Sequence, residues 1–437
     1  MAATPEKTPY RTRLLAALAA LALCALAALL LIATVEDVAS HSRRFFGLWR
    51  TRHIVFALAL ITLALLFISA AVSRRMLFGA LAALVSLATT GVALELVGLA
   101  GIVRWPAVFA PRELVIGRKP EANTRVSGTS SQDTATAWGL PSEPMPFEYV
   151  TDRRGYRNQP DRADAEVYLL GDSMLVAALV PFERTLVARL EALLGAPTVQ
   201  VALIAISPQE AIARFRETKL DPRGRLILQF ILEGNDLLDS FIYRNARLPS
   251  AQRATRSFWE RTLLKQLEVR LLQLLSPRVD PVAAKRSCAI NGQQYTFFWV
   301  RDSFAGFEGE EAHIEAALEL FAGEVRSAGG TFAVVFVPSK FRVLGPLCTW
   351  PPGSDLIDLS ANLSPFRDGI VAWSARSGVP VLDLTQALSG VARTGAIPWL
   401  WGDTHWNADG HAAAARAIAA WDVVRRARSN ASAVARD

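Results

Sequence analysis

Three short stretches of this 437-residue sequence carry residues that could do chemistry together. The first is Tyr168-Leu169-Leu170-Gly171-Asp172-Ser173, an apolar strand pattern running into Gly-Asp-Ser. The second is Glu233-Gly234-Asn235-Asp236, directly after the apolar run Leu226–Leu232. The third is Trp401-Gly402-Asp403-Thr404-His405-Trp406-Asn407, just before a helical pattern. A serine hydroxyl is a poor nucleophile near neutral pH, so it needs a base, and the base needs a carboxylate to orient it. Ser173, His405 and Asp403 supply those types, and the two-residue spacing lets one loop present both Asp403 and His405. An Asn side chain at the end of a strand, Asn235, can donate a hydrogen bond to an oxyanion. Taken singly, Gly-Asp-Ser and Gly-Asn are ordinary turn compositions; their order and shared position after strands give them weight.

These residues need a scaffold that gathers strand ends. From Glu166 onward, short apolar runs alternate with helical patterns, which predicts a parallel α/β sheet. Strands are expected at Val167–Leu170, Val199–Ile204, Leu226–Leu232, Thr331–Val337 and Val381–Leu384. Helices are expected near Arg184–Leu194, after Ser207 with Pro208 and Glu210 forming its start, and from Ala408 to about Arg425, capped by Asn407. In open parallel sheets, reactive groups collect beyond the carboxyl ends of the strands. The fold expected is a three-layer α/β/α sandwich with a central parallel sheet.

The interval 240–310 breaks this rhythm and reads as an insertion, with an amphipathic helix near Phe258–Leu275 followed by Ser276 to Asp280. Residues 104–148 are rich in Pro, Ser, Thr and Gly without apolar periodicity. They read as a linker, most mobile at Ser127-Gly128-Thr129-Ser130-Ser131. The main domain is therefore placed at 149–437.

Residues 1–103 form a membrane region. Leu14–Val35 is a run of 22 uncharged residues, Ile54–Val72 adds 19, and Leu77–Val103 adds 27 with a charge only at Glu95. About 20 apolar residues cross a bilayer core. Three transmembrane helices are expected, at about 14–35, 54–72 and 77–103. The first run exceeds a signal-peptide core and two more follow it, so it is expected to be retained. Glu95 is a functional candidate by its depth, or a snorkelling residue by its place near the helix end.

The net charge of +7 divides unevenly. Residues 1–105 hold ten basic and four acidic side chains, the rest 37 and 36. A nucleic-acid surface would concentrate positive charge in the folded domain, so nucleic acid is not an expected partner. Lys7, Arg11, Arg13, Arg74 and Arg75 favour a cytoplasmic N-terminus, against Arg43, Arg44, Arg50 and Arg52. Residues beyond Val103 then lie on the far face, the periplasm of a bacterial cell with the spans in its inner membrane. Cys288 and Cys348 are expected to pair in such an oxidising compartment; two unpaired small residues is the alternative. Cys24 lies in the first span.

The three motifs resemble those of the GDSL/SGNH hydrolase superfamily, and more narrowly its alginate O-acetyltransferase-like branch. The resemblance spans roughly Tyr149 to Trp421. It implies Ser173 as nucleophile, His405 as base and Asp403 as its orienting acid. The implied oxyanion hole combines the N–H groups of Ser173 and Ala205 with the Asn235 side chain, supported by Asp172, Gly234 and Asp236. Thr151–Asn158 resembles the lead-in to the first strand, and Val337-Pro338-Ser339-Lys340 a Pro-Ser-Lys turn of the acetyltransferase-like branch. Where the family usually has glycine, this chain has Ala205, which serves if its φ is negative and is strained if φ is positive. The Asp-x-His spacing matches the Asp-x-His-Trp variant of that branch.

No metal and no cofactor is expected. Asp403, His405, Asp409 and His411 could be read as a metal cluster, but histidines six apart do not share a helical face. His313 sits among Glu310, Glu311 and Glu315 and reads as a solvated face. Trp401 and Trp406 are expected to pack around His405 or to line a sugar cleft. The function implied is a membrane-anchored serine esterase or acyltransferase acting on O-acyl, chiefly O-acetyl, groups of a cell-envelope polysaccharide. The alternatives are a general carboxylester hydrolase and a catalytically inactive acyl-glycan-binding module. Implied partners are an acyl donor, a glycan or ester substrate, the membrane, and a membrane protein delivering acyl groups.

Overall fold

The computed structural model describes residues 10–33, 49, 51–100, 102–103, 122–130, 132–138, 145–246, 262–275, 286–297, 306–307, 309–354, 356–360 and 363–434. The chain divides into two compact units, one of Met1–Pro111 with Pro249–Arg278, the other of Arg112–Leu248 with Val279–Asp437.

The first unit contains three helices long and apolar enough to cross a membrane: α1 (Tyr10–Ala33), α2 (Thr51–Val72) and α3 (Arg74–Leu99). Ser73, the residue between α2 and α3, caps α3 by accepting a hydrogen bond from the Met76 N–H (3.1 Å). Apart from His53, the buried residues of α1 and α2 are small: Ala16, Ala20 and Ala27 on one helix, and Ala57, Ala64 and Ala71, seven apart, on the other. Small side chains let apolar helices approach where lipid offers no hydrophobic drive between them.

In the second unit, β1 (Arg125–Ser130) pairs antiparallel with β2 (Met145–Val150), and α4 (Asp133–Trp138) lies between them in sequence. A central sheet follows, built from β3 (Val167–Gly171), β4 (Thr198–Ala202), β5 (Leu226–Leu232), β8 (Thr331–Val337) and β9 (Val381–Asp383). Its order is β4-β3-β5-β8-β9 and every pairing is parallel. A second hairpin, β6 (Ser287–Ile290) with β7 (Gln293–Thr296), stands apart from that sheet.

The strands read as continuous apolar runs because both faces are covered. Val167, Leu169, Leu228 and Val335 face one layer, while Tyr168, Leu170, Ile227 and Phe336 face the other. In chain order the helices are α5 (Ser173–Val176), α6 (Leu186–Leu194), α7 (Pro208–Thr218), α8 (Asp236–Ala246) and α9 (Leu263–Leu275). After the second hairpin come α10 (Glu310–Ser327), α11 (Lys340–Leu344), α12 (Leu356–Ser360) and α13 (Phe366–Ser377). The last three are α14 (Thr385–Arg393), α15 (Ala408–Ala420) and α16 (Asp422–Val434). Residues of α6, α14 and α15 cover the first face, and residues of α7, α10 and α13 the second. This is the three-layer α/β/α sandwich expected from the alternation of strand and helix patterns.

Three expectations need correction. Within the stretch taken as a linker, 125–130, 133–138 and 145–150 are ordered elements of the second unit, and Ser127–Ser130 is strand rather than its most mobile part. β1 is almost wholly exposed, so it carries no apolar period; backbone pairing to β2 is what orders it. The final helical run is two helices, because Trp421 adopts an extended conformation (ψ 131°) between α15 and α16. The 240–310 interval is not one inserted piece, since 240–246 belong to α8 and 249–278 to the first unit. Phe258–Arg261 and Ser276–Asp280 lie outside the described residues. Cys288 and Cys348 form a disulfide.

Candidate active site

Ser173 opens α5 immediately after β3, at the point where the chain's next strand, β4, goes to one side of β3 and β5 to the other. Ligands in open α/β sheets bind at such a switch point. Asp172 caps α5, its side chain accepting from the Met174 N–H (3.1 Å). Gly171 leaves little room for a side chain, since a Cβ there would lie 3.0 Å from the Phe230 Cβ and 3.1 Å from a Leu175 methyl. Beneath this elbow, the buried Arg157 guanidinium donates to the carbonyls of Val176 (2.9 Å), Ala177 (2.5 Å), Val180 (2.9 Å) and Glu148 (3.1 Å). Burial lowers its pKa to about 10, and it stays charged. The Thr151–Asn158 segment therefore acts as a support under the serine. Asp152 holds it by accepting from Arg154 N, Tyr156 N and Asn158 Nδ2.

His405 Nε2 lies 2.8 Å from Ser173 Oγ. Its Nδ1 lies 2.5 Å from Asp403 Oδ1, which also accepts from the His405 N–H (2.9 Å). Asp403 Oδ2 accepts from the Asp133 N–H (2.9 Å). Burial pushes the Asp403 carboxyl up, but His405, by charge and hydrogen bond, and the N–H groups of Asp133 and His405 more than offset it. For His405, burial pulls the pKa down, yet Asp403, Asp133 and Asp172 raise it to about 9. The spacing of Asp403 and His405 thus places both on one loop, as expected.

Sequence reasoning missed Asp133. Its Oδ1 accepts from the Thr404 N–H (2.9 Å), its Oδ2 accepts from the Thr404 hydroxyl, and that oxygen lies 3.8 Å from His405 Nδ1. Burial, then the charge of Asp403, raises its own pKa. Beside it, Gln132 Oε1 accepts from the Gly402 N–H (2.7 Å) and Ala135 N–H donates to Gly402 O (2.8 Å). The approach is so close that a Cβ on Gly402 would fall 2.8 Å from Ala135 Cβ. The same loop is held by the buried Lys340 Nζ, which donates to the carbonyls of Leu400 (2.9 Å), Trp401 (2.8 Å) and Asp403 (3.0 Å). Burial lowers the Lys340 pKa to about 7. Ser339, preceding it, caps α11 through the Arg342 N–H and is fixed by Glu233, which also pairs with Arg342.

Ser173, Ala205, Asn235 and His405 line one cleft of about 230 Å³, with Asp133, Thr404, Lys340 and an apolar wall of Met174, Ile204, Leu232, Phe297 and Phe341. Ala205 has φ +54°, in the left-handed region. For a residue with a Cβ this costs about 1 kcal/mol, so the strained alternative applies. Asn235 Nδ2 donates to Asp239 Oδ2 (2.5 Å), fixing the amide at the cleft. Gly234 is buried in the turn before α8, and Asp236 Oδ2 accepts from the Leu232 N–H (2.7 Å), which holds the turn against the end of β5. Burial raises Asp172 and Asp236, the latter also under the charge of Asp172. The same two causes bring Asp239 to about 7.

The rival metal quartet is not assembled. His411 is fully buried in α15, edge-on to Trp406, and burial lowers its pKa to about 3. Candidate ligand atoms of Asp133, Asp403 and His405 do come within 4.8 Å of one another; they are the atoms engaged in the hydrogen bonds just described. Trp406 is buried against Trp399, a packing role. His313 is exposed on α10.

The arrangement suits nucleophilic attack on a carbonyl. No curated protein matches the sequence. Among solved structures, the acetylxylan esterase Axe2 from Geobacillus stearothermophilus is 14% identical with a TM-score of 0.32, over 60% of this chain and 96% of that one. Est2A, an acetyl xylan esterase from the rumen bacterium Butyrivibrio proteoclasticus, is 11% identical with a TM-score of 0.28, over 66% and 68%. Residues 298–433, which include Lys340, Asp403 and His405 but not Ser173, Ala205 or Asn235, match the family model of the SGNH hydrolase-like domain of acetyltransferase AlgX.

Proposed function

We propose that this protein is a membrane-anchored serine acyltransferase of the SGNH type, moving O-acetyl groups onto or off a cell-envelope polysaccharide. The observation that carries the reading is the 2.8 Å approach of His405 Nε2 to Ser173 Oγ, with Asp403 at 2.5 Å behind the ring. Ser173 Oγ attacks the ester carbonyl while its proton passes to His405 Nε2. The oxyanion is held by the Ser173 N–H and the Asn235 amide, a kind of donor worth about 3 kcal/mol each, with the N–H of Ala205 as a third donor carried on a strained left-handed turn. Collapse of the intermediate breaks the ester C–O bond, and the leaving alkoxide takes the proton from His405. The acyl-Ser173 ester is then attacked by a glycan hydroxyl, whose proton goes to His405; the Ser173 Oγ–acyl bond breaks, Ser173 takes that proton back from His405, and the acylated glycan leaves.

Acyl transfer is favoured over simple hydrolysis by the match of 298–433 to a domain described as an acetyltransferase. The three long apolar helices support anchoring. The basic residues around the start of α1, Lys7, Arg11 and Arg13, and those that open α3, Arg74 and Arg75, support a catalytic unit on the periplasmic side of a bacterial inner membrane. An acyl-delivering membrane protein is the partner such a location calls for.

The test is turnover of p-nitrophenyl acetate by the full chain and by Ser173→Ala, with and without an oligosaccharide acceptor. The expected result is loss of on the order of 10³-fold or more in the variant, with acetyl appearing on the sugar in the parent. Hydrolysis indifferent to sugar would make it an esterase. Turnover insensitive to Ser173→Ala would remove the serine mechanism and leave an acyl-glycan binder.

A further inference from the structure

Helix α9 lies in the middle of the catalytic sequence but belongs to the unit formed by α1–α3. Its first turn has a local cap: Thr262 Oγ1 accepts from the Lys265 N–H (3.2 Å). Two further N–H groups of that turn, on Leu263 and Leu264, donate to the carboxylate of Glu95, at 2.8 and 2.9 Å. Glu95 sits one turn from the end of α3. One turn further along α9, Glu268 accepts a hydrogen bond from the hydroxyl of Thr51 (2.5 Å), the first residue of α2. As α2 and α3 run in sequence through Ser73 alone, the start of α2 and the end of α3 are the same end of the pair. The acid inside the third apolar run thus receives the orphan N–H groups and the positive dipole end of α9.

This attachment holds α9 with a leucine stripe partly exposed. Leu264, Leu267 and Leu271 are 59%, 38% and 46% exposed. At 100° per residue they fall within an arc of about 60°, whereas Lys265 and Gln266 fall on the far side. The same end of α3 leaves Leu96 and Leu99 exposed. Helices with an apolar stripe and a polar back, placed where spans leave the hydrocarbon, lie in the interface with the stripe sunk about 5–10 Å into the headgroup and acyl boundary.

We propose that α9 is an in-plane membrane helix whose Leu264–Leu267–Leu271 face is covered by lipid, so that the catalytic sequence returns to the bilayer after α3 has left it. The inference rests on the reading that α1–α3 cross a membrane. Its test uses the full chain with Cys24→Ala and the disulfide intact, reconstituted in phosphatidylethanolamine and phosphatidylglycerol vesicles. Single cysteines replace Leu264, Leu267, Leu271, Gln266 or, as a mid-span control, Leu65, and each carries a nitroxide. Collision rates with oxygen, which concentrates in lipid, are compared with those of an aqueous nickel chelate.

The expected result is an oxygen-to-nickel ratio several-fold higher at the three leucine positions than at Gln266, with Leu65 higher still. Leucine positions as open to nickel as Gln266, with Leu65 protected, would overturn the in-plane helix and leave the spans standing. Leucine positions closed to both reagents would mean a protein surface covers them, and would overturn it too. Nickel access at Leu65 would bring down both readings together.

Discussion

His405 faces two carboxylates, Asp403 from its own loop and Asp133 from a segment far upstream. Both charges favour the imidazolium, so the base rises to about 9 and must lose its proton before it can accept one from Ser173. Activity should therefore climb with pH toward about 9. Stability should move the other way, because an imidazole whose pKa is raised on folding contributes fully below its unfolded value of about 6.5. That contribution fades as pH rises through about 9. Asp133→Asn keeps an acceptor for Thr404 and removes one charge. We expect the acid limb of kcat/KM to move down by up to about one pH unit, and the loss of stability between pH 6.5 and 9 in urea titrations to shrink. An unmoved limb would deny Asp133 its electrostatic part. Ser173, Asn235, Asp403 and His405 were legible because each sits in a short motif beside a strand or helix pattern. Asp133 was not, because a carboxylate among Ser, Thr and Gly has no local mark; its partners, Asp403 and Thr404, are about 270 residues away. Nor could the sequence decide the sign of the Ala205 φ, which turn geometry sets.

At the scale of elements, the site is a meeting of strand ends with one loop, 400–405, that has little regular structure of its own. Lys340 gives that loop its shape by offering three N–H bonds to three carbonyls. Lys340→Met keeps an unbranched apolar stem and removes the donors. A shift of about 1 Å at reacting groups can cost about 10²-fold, so we expect kcat to fall by that order while KM changes little. A rise in KM with kcat unchanged would mean Lys340 touches substrate rather than positioning the loop. The sheet strands were readable to within two residues, since each is a short apolar run between turn signals. The β1–β2 hairpin was not, as an exposed strand held by backbone pairing displays no burial pattern.

At the scale of the whole molecule, the chain visits the unit of the three long apolar helices twice, a connectivity the break in strand–helix rhythm after 240 only hinted at. The disulfide Cys288–Cys348 links the β6–β7 hairpin, next to Phe297 of the cleft, to the turn after α11, across 60 residues. Closing a loop of that size limits the unfolded chain by on the order of 4 kcal/mol. Cys288→Ser with Cys348→Ser should lower the melting temperature by about 10 °C, measured on otherwise identical full-length protein; an unchanged melting point would show the bond to be energetically idle. The contacts of Gln132 and Asp133 with 402–404 bear on any attempt to shorten this protein. A fragment begun at residue 149, where the alternation of strands and helices starts, would retain every recognisable motif. It would nevertheless leave the Gly402 amide and the Thr404 hydroxyl facing water in place of their upstream anchors. The natural seam of the catalytic unit lies ahead of β1, and the hairpin has to travel with the domain that follows it.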